Sequence, residues 1–232
     1  MPSFAAALMV FVLLHVGVSA TGLRALIVGK TGERAYLALF SLASAAALVW
    51  MIFAFAALRE DAANPYNQAL YVAPAWGRYA AQALTLLAFL LVVPGLLTPG
   101  PTTVGMEGAL ARGAEAKGVH RITRHPFLWG VALWALGHLF ANGERYALML
   151  FGAFGVLALF GTRSIDRKRA ARDPEGWAAY TVQTSNIPFA AIVQGRNRFS
   201  LGEIWWKWAA ALVVYAAFAY AHQWIVGAPA IP

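Results

Sequence analysis

Long apolar runs separated by short polar segments set the pattern of this chain. Six runs stand out, at roughly 3–23, 35–58, 77–98, 126–142, 146–162 and 204–226. Each is about 17–25 residues long, enough for an α-helix to cross ~30 Å of hydrocarbon at ~1.5 Å per residue. The first two contain the charge-free stretches Phe11 to Leu14 and Ala43 to Phe55. The turn Ala141-Asn142-Gly143-Glu144 separates the fourth run from the fifth and predicts an antiparallel hairpin. Pro126 falls in the first turn of the fourth run, where a missing N–H costs nothing. Gly130, Ala132, Ala135 and Gly137 give that run a small-residue face for close helix packing. The predicted fold class is therefore all-α: a polytopic membrane protein with six transmembrane helices in a single domain over 1–232. The segments 99–125 and 163–203 read as long loops, and Ser164 to Arg172 as a short amphipathic interfacial helix.

Composition supports this reading. Apolar residues make up 60% of the chain and charged residues 12%, more apolar surface than a soluble domain of this length can hide. The absence of cysteine excludes a disulfide scaffold, thiol catalysis, thiolate haem ligation and Cys-based zinc or iron–sulfur sites. Val18-Ser19-Ala20 has the small-residue form of a leader cleavage site. No Lys or Arg precedes it and the apolar stretch is long, so a retained first helix is expected.

The charges add an orientation. There are 18 Lys+Arg against 10 Asp+Glu, a net charge of +8. Fifteen of the 18 cations fall in or beside the 22–34, 99–125 and 163–203 loops, and only Arg59, Arg78 and Arg145 fall in the alternate ones. Cations stay on the cytoplasmic side, so both termini are expected on the non-cytoplasmic side, and an even number of spans likewise puts both termini on one side. The expected location is a membrane whose cytoplasmic face carries the basic loops. Lipid accounts for the basic excess, and no nucleic-acid partner is expected. Trp205, Trp206 and Trp208 at one end of the last span, with Trp224 at the other, fit interfacial aromatic belts.

Polar side chains at depth are the candidates for chemistry. His15, His138 and His222 lie within spans one, four and six, with no Asp or Glu beside them. A neutral buried imidazole ligates metal, and without a thiolate or carboxylate it suits haem b better than zinc or a proton pump. Counted from the nearest cytoplasmic cation, His15 is ~13 Å deep, His138 ~21 Å and His222 ~22 Å. Similar depth matches His138 with His222 better than with His15, and helix tilt leaves His15 with His138 open as the axial pair. A second constellation is Arg121-Ile122-Thr123-Arg124-His125-Pro126. It puts Arg124 and His125 at a helix N-terminus, where a haem propionate, a lipid phosphate or a carboxylate would be favoured. The structural alternatives are a hydrogen bond from each histidine to a neighbouring carbonyl, and simple positive-inside anchoring for Arg124.

Three separated motifs carry a family resemblance. His15-Val-Gly-Val-Ser, with Leu23-Arg24 and Gly32-Glu33-Arg34-Ala35-Tyr36, resembles the opening of NnrU-domain proteins. Arg121 to Pro126, followed by Leu133-Trp-Ala-Leu-Gly-His138 and Ala141-Asn-Gly143, resembles their central motif. Asp166-Arg167, Thr184-Ser185 and Ile187 to Ile192, ending in Gly195-Arg196, resemble their C-terminal signature. The family is similar to 15-cis-zeta-carotene isomerase. That resemblance implies haem b held by His15 and His138, and cis–trans isomerisation of a hydrophobic polyene. The end of span two, Phe55 to Glu60, offers no histidine, and a last span bearing His222 is added. Bacterial NnrU proteins are also associated with nitrate, nitrite and nitric oxide metabolism. That implies, as alternatives, electron transfer or nitric oxide sensing in denitrification, or a scaffold for a respiratory-complex partner. Arg124-His-Pro126 with Gly130, Gly176-Trp177, Tyr180 and Pro188 also resembles membrane methyltransferases of the isoprenylcysteine and phospholipid type, in which the motif helps hold S-adenosylmethionine.

Overall fold

The computed structural model describes residues 2–19, 21–103 and 105–230. Among these residues the chain is helical, with no strand and one isolated antiparallel bridge, Ala69 to Glu144. The helices are α1 (Pro2–Leu13), α2 (Leu23–Thr31), α3 (Glu33–Glu60), α4 (Gly77–Leu97), α5 (Pro126–Ala141), α6 (Arg145–Arg172), α7 (Pro174–Gln183), α8 (Ala190–Val193) and α9 (Leu201–Val226). A single π-helical turn, Leu14–Val18, follows α1.

Four of these, α3, α4, α6 and α9, are long and apolar enough to cross a bilayer, as expected of a membrane protein. α5 is apolar but has only 16 residues, ~24 Å of helix, short of the hydrocarbon thickness. The first run differs from the continuous helix expected over 3–23. It is a broken pair in which the segments Ser3–Val18 and Leu23–Thr31 meet at 81°. The leader-like site ends on Ala20, which lies outside the described residues.

The region after the fifth run also differs from expectation. No separate interfacial helix begins at Ser164; α6 runs unbroken to Arg172. Its stop comes at Asp173-Pro174, the first helix-breaking pair after Arg145. Asp173 caps α7 by accepting from the Gly176 N–H at 2.9 Å, and Pro174 occupies the first turn. The remainder of 163–203 is α7, α8 and short turns, so little of it is loop.

Contacts group the chain into two compact units. Unit 1 is Met1–Ala73 with Asn142–Ala153, and unit 2 is Pro74–Ala141 with Phe154–Pro232. In unit 1, α1 packs along α3, with Phe4 against Phe55 and the Trp50 indole donating to the Ser3 hydroxyl. The segment after α3 folds onto the turn before α6. Leu70 N–H donates to the Gly143 carbonyl at 2.8 Å, and Arg145 N–H to the Gln68 carbonyl at 3.2 Å.

Unit 2 is built on the α4–α5 pair, whose close approach the small residues of α5 allow. A Cβ on Gly130 would lie 2.4 Å from Val92 Cγ2 and 2.9 Å from the Ala88 carbonyl oxygen, and one on Gly137 would meet Ala81 backbone at 3.1 Å. α5 and the later part of α6 run antiparallel, with Ala135 against Gly155 and Leu128 against Gly161. α9 packs on α4 through a backbone defect. Pro94 has no N–H to give to the Leu90 carbonyl, and the Trp208 indole donates to that carbonyl at 3.0 Å. Trp208 therefore turns inward, against a core of Leu91, Val119, Ile122 and Ile204, and only Trp205, Trp206 and Trp224 keep the exposed character of a belt.

Candidate functional site

The densest polar constellation in unit 2 lies where α5 begins. Backbone bonds fix the entering strand of chain on both sides. Arg124 N–H donates to the Ser185 carbonyl at 2.9 Å, Phe189 N–H to the Ile122 carbonyl at 2.8 Å, and the Thr123 hydroxyl to the Asn186 carbonyl at 2.6 Å. Thr123 Oγ1 in turn accepts from His125 N–H at 3.2 Å. The 121–126 segment is thereby laced to the turn after α7 before any charged side chain is considered.

Asp166, near the end of α6, receives what that segment presents. Arg124 reaches it through two nitrogens, Nε to Oδ1 at 3.0 Å and Nη2 to Oδ2 at 2.6 Å. His125 Nε2 donates to Oδ1 at 2.6 Å. Asn186 Nδ2 is 3.5 Å from Oδ2, and Asn186 Oδ1 accepts from the Trp129 indole at 3.1 Å. The Arg124 guanidinium also lies over the Trp177 ring, 5.4 Å from its centroid. A carboxylate, a guanidinium and a neutral imidazole make a self-neutralising cluster. Burial pushes the His125 imidazole below its ordinary range, against the opposing pull of Asp166. Close by, the Tyr180 hydroxyl is buried with no hydrogen-bond partner among the described residues, and burial raises its pKa.

The other end of the same loop is tied to α9. Arg121 forms a two-point pair with Glu203, Nε to Oε2 at 2.9 Å and Nη2 to Oε1 at 2.8 Å, and its Nη1 donates to Asn197 Oδ1 at 2.8 Å. This pairing is the main reason the Arg121 pKa is raised. His120 is buried, and its Nε2 donates to the Thr98 carbonyl at 2.8 Å. Burial lowers its pKa.

The three histidines expected at depth share one feature. His15 Nδ1 lies 2.8 Å from the Phe11 carbonyl oxygen, His138 Nδ1 2.8 Å from that of Trp134, and His222 Nδ1 2.7 Å from that of Ala228. A carbonyl oxygen only accepts, so each Nδ1 carries a proton, and in the neutral ring the lone pair would be on Nε2. His15 sits in the π-helical turn, with its ring 4.3 Å from that of Phe11 and 5.3 Å from that of Phe40. His15 belongs to unit 1, and His138 and His222 belong to unit 2. Among the described residues no three His, Asp or Glu side chains group as a metal site.

Of the residues singled out from sequence, Arg124 and His125 are brought together, and they meet on a carboxylate of the chain. Any ligand anion there would compete with Asp166. Sequence reasoning missed the roles of Asn186 and Trp129 and named Tyr180 only within the methyltransferase-like motif. The signal for Asp166 was present: it is the lone acid among Arg163, Arg167, Lys168 and Arg169.

The arrangement of motifs along the chain has a counterpart among known proteins. The family model described as NnrU protein matches residues 3–230. The chain belongs to the NnrU family. Two chloroplastic 15-cis-zeta-carotene isomerases are also similar to it. The one from Arabidopsis thaliana is 40% identical over 82 residues, 34% of this chain and 22% of that protein. The one from Zea mays is 36% identical over 83 residues, 35% of this chain and 22% of that protein. The chain thus spans about a fifth of the length of the curated relatives it matches. No solved structure matches.

Proposed function

We propose that this NnrU-family chain is a haem-b-binding membrane protein that isomerises a cis double bond in a hydrophobic polyene. The observation that carries the reading is the family match over residues 3–230 together with the similarity to two 15-cis-zeta-carotene isomerases; the common state of the intramembrane histidines is compatible with it. His15, His138 and His222 each spend Nδ1–H on a carbonyl, so that in the neutral tautomer the lone pair is on Nε2. Metal-ligating histidines are oriented by such an outer hydrogen bond. The donor set therefore fits a haem iron, with His138 as one ligand and His15 or His222 as the other. Those residues would hold the group, and a haem bound by them would supply a redox-active iron. The chain's own part is to hold neutral imidazoles, to keep water out with apolar helices, and to offer a hydrophobic substrate a path from the bilayer. The named relatives are isomerases of 15-cis-zeta-carotene, which supports a polyene substrate and a reaction with no net oxidation.

Six spans, both termini on the non-cytoplasmic side, and a bacterial inner membrane complete the reading. The distribution of cations supports this orientation, with the Asp166 cluster on the cytoplasmic face. Redox or nitric-oxide-linked chemistry at the same iron is the variant of this reading in which no substrate isomerises. Methyl transfer is less favoured, because Arg124 and His125 spend donors on Asp166 instead of offering them to a cofactor.

Absorption spectra of the detergent-purified protein, oxidised and reduced, test the proposal. A Soret band is expected, and His138→Ala should remove most of it. The pair is resolved by whether His15→Ala or His222→Ala shifts the reduced spectrum. A colourless protein after expression with added haem would overturn the reading. If the haem is present, incubation with 15-cis-zeta-carotene and chromatography of the isomers decides between isomerase and redox protein.

A further inference from the structure

Unit 1 holds an open cleft of about 520 Å³ lined by Tyr66, Leu70, Arg145, Leu148 and Met149. Its walls are fixed. The 68–71 segment is clamped to the turn before α6 by the Leu70 to Gly143 and Arg145 to Gln68 backbone bonds, and the Tyr71 hydroxyl donates to the Asn142 carbonyl at 2.9 Å. The approach is so close that a Cβ on Gly143 would fall 1.9 Å from the Tyr71 carbonyl oxygen. The cleft is thus a feature of the folded unit and not a gap beside a loose loop.

Its one cation, Arg145, follows Glu144, whose Oε2 is buried with no hydrogen-bond partner among the described residues. Arg145 makes no ion pair among the described residues, and its Nε is buried with no hydrogen-bond partner. It is the first residue of α6, the end at which the helix dipole disfavours a positive charge. It is also one of only three cations outside the basic loops. Leu148 and Met149 lie three and four residues further along α6, ~5 Å deeper into the apolar helix. A cation with a phenol beside it, and aliphatic walls one turn below, reproduces the spacing of a phosphate headgroup above its acyl chain.

We propose that this cleft binds the anionic headgroup of a phospholipid, with the phosphate on Arg145 and the start of an acyl chain on Leu148 and Met149. The proposal goes beyond the haem reading and does not depend on it. The apolar continuation along a spanning helix favours a lipid over a free anion, which would use Arg145 alone.

The test is native mass spectrometry of the full chain in dodecyl maltoside with equimolar dioleoyl phosphatidylglycerol and dioleoyl phosphatidylcholine. Preferential retention of one phosphatidylglycerol is expected. Arg145→Gln should lower that retention at least about fivefold, and Leu148→Trp, which fills the acyl half, should lower it too. Arg78→Gln, at a cation outside the cleft, should leave it unchanged. The Soret band should be unaltered in all three. Equal retention of the two lipids by the unaltered chain overturns the proposal, and so does full retention by Leu148→Trp, even if Arg145→Gln fails to fold. Displacement of the lipid by excess inorganic phosphate, with Leu148→Trp silent, overturns the lipid assignment in favour of a free anion.

Discussion

Arg124 and His125 converge on one carboxylate that is itself only about one-fifth exposed, and Arg124 is 14% exposed. Removing the acid leaves a guanidinium and an indole-tethered amide without their acceptor in a poorly solvated place. Asp166→Ala is expected to cost about 2–4 kcal/mol, between the value for a surface pair and that for a fully buried one. The fall in melting temperature in detergent measures it, and Asp166→Asn, which still accepts one bond, should fall less. The same cluster sets a pH dependence. His120 and His125 are buried, and burial holds both below the ordinary imidazole value of about 6.5. Above that value both the folded and the unfolded imidazoles are neutral, and the stabilisation is complete. As pH falls below it, the unfolded chain takes up protons that the folded chain refuses, and stability is lost toward the lower folded values. Melting temperature should therefore hold between about pH 8 and 7 and fall between about pH 6.5 and 5, with a shallower fall in His125→Gln.

Helix pairing turns on a few small or defective positions. Gly130 and Gly137 let α5 approach the backbone of α4, and Gly130→Val would force atoms into the Ala88 carbonyl and Val92. Overpacking of this kind costs about 1–3 kcal/mol, and a matching loss in detergent melts is expected. Gly152→Ala, with nothing within 4 Å of the added carbon, is the control and should be neutral or better. Trp208 answers the carbonyl that Pro94 leaves open on α4. Trp208→Phe keeps the ring but strands Leu90 O in an apolar setting, for about 1–3 kcal/mol. Reversing the defect with Pro94→Ala should make the Trp208→Phe change cheaper, and the double-mutant cycle reads that coupling directly.

For the whole molecule, the two units divide the candidate chemistry. The polar cluster of α5, α6 and the 184–189 turn belongs to unit 2, as do His138 and His222, while His15 and the Arg145 cleft belong to unit 1. A haem site made from His138 and His222 would draw on unit 2 alone, and His15 lies in unit 1. The spectra of His15→Ala and His222→Ala distinguish these cases. The family match over 3–230 shows that both units recur together as one NnrU sequence unit.

Element positions were legible in the linear pattern because hydrocarbon imposes a length and a composition on any helix that crosses it. The runs at 35–58, 77–98, 126–142 and 204–226 correspond to α3, α4, α5 and α9 within a few residues. Pro126 as a helix start and the small face of α5 were legible for the same local reasons. The break in the first run and the extension of α6 past Ser164 were not, because apolarity reports where lipid can be and is silent on where backbone hydrogen bonding stops. The pairing of Arg124 and His125 with Asp166, 41–42 positions away along the chain, was out of reach as well. Charges near a helix end look alike in a string of letters whether they face a ligand, a headgroup or one another, and only packing brings one carboxylate within 3 Å of both. The unpaired Nε of Arg145 and the hydrogen bonds that set the proton on each deep histidine are of the same kind. They depend on which carbonyl stands opposite, and that is fixed by the folded backbone.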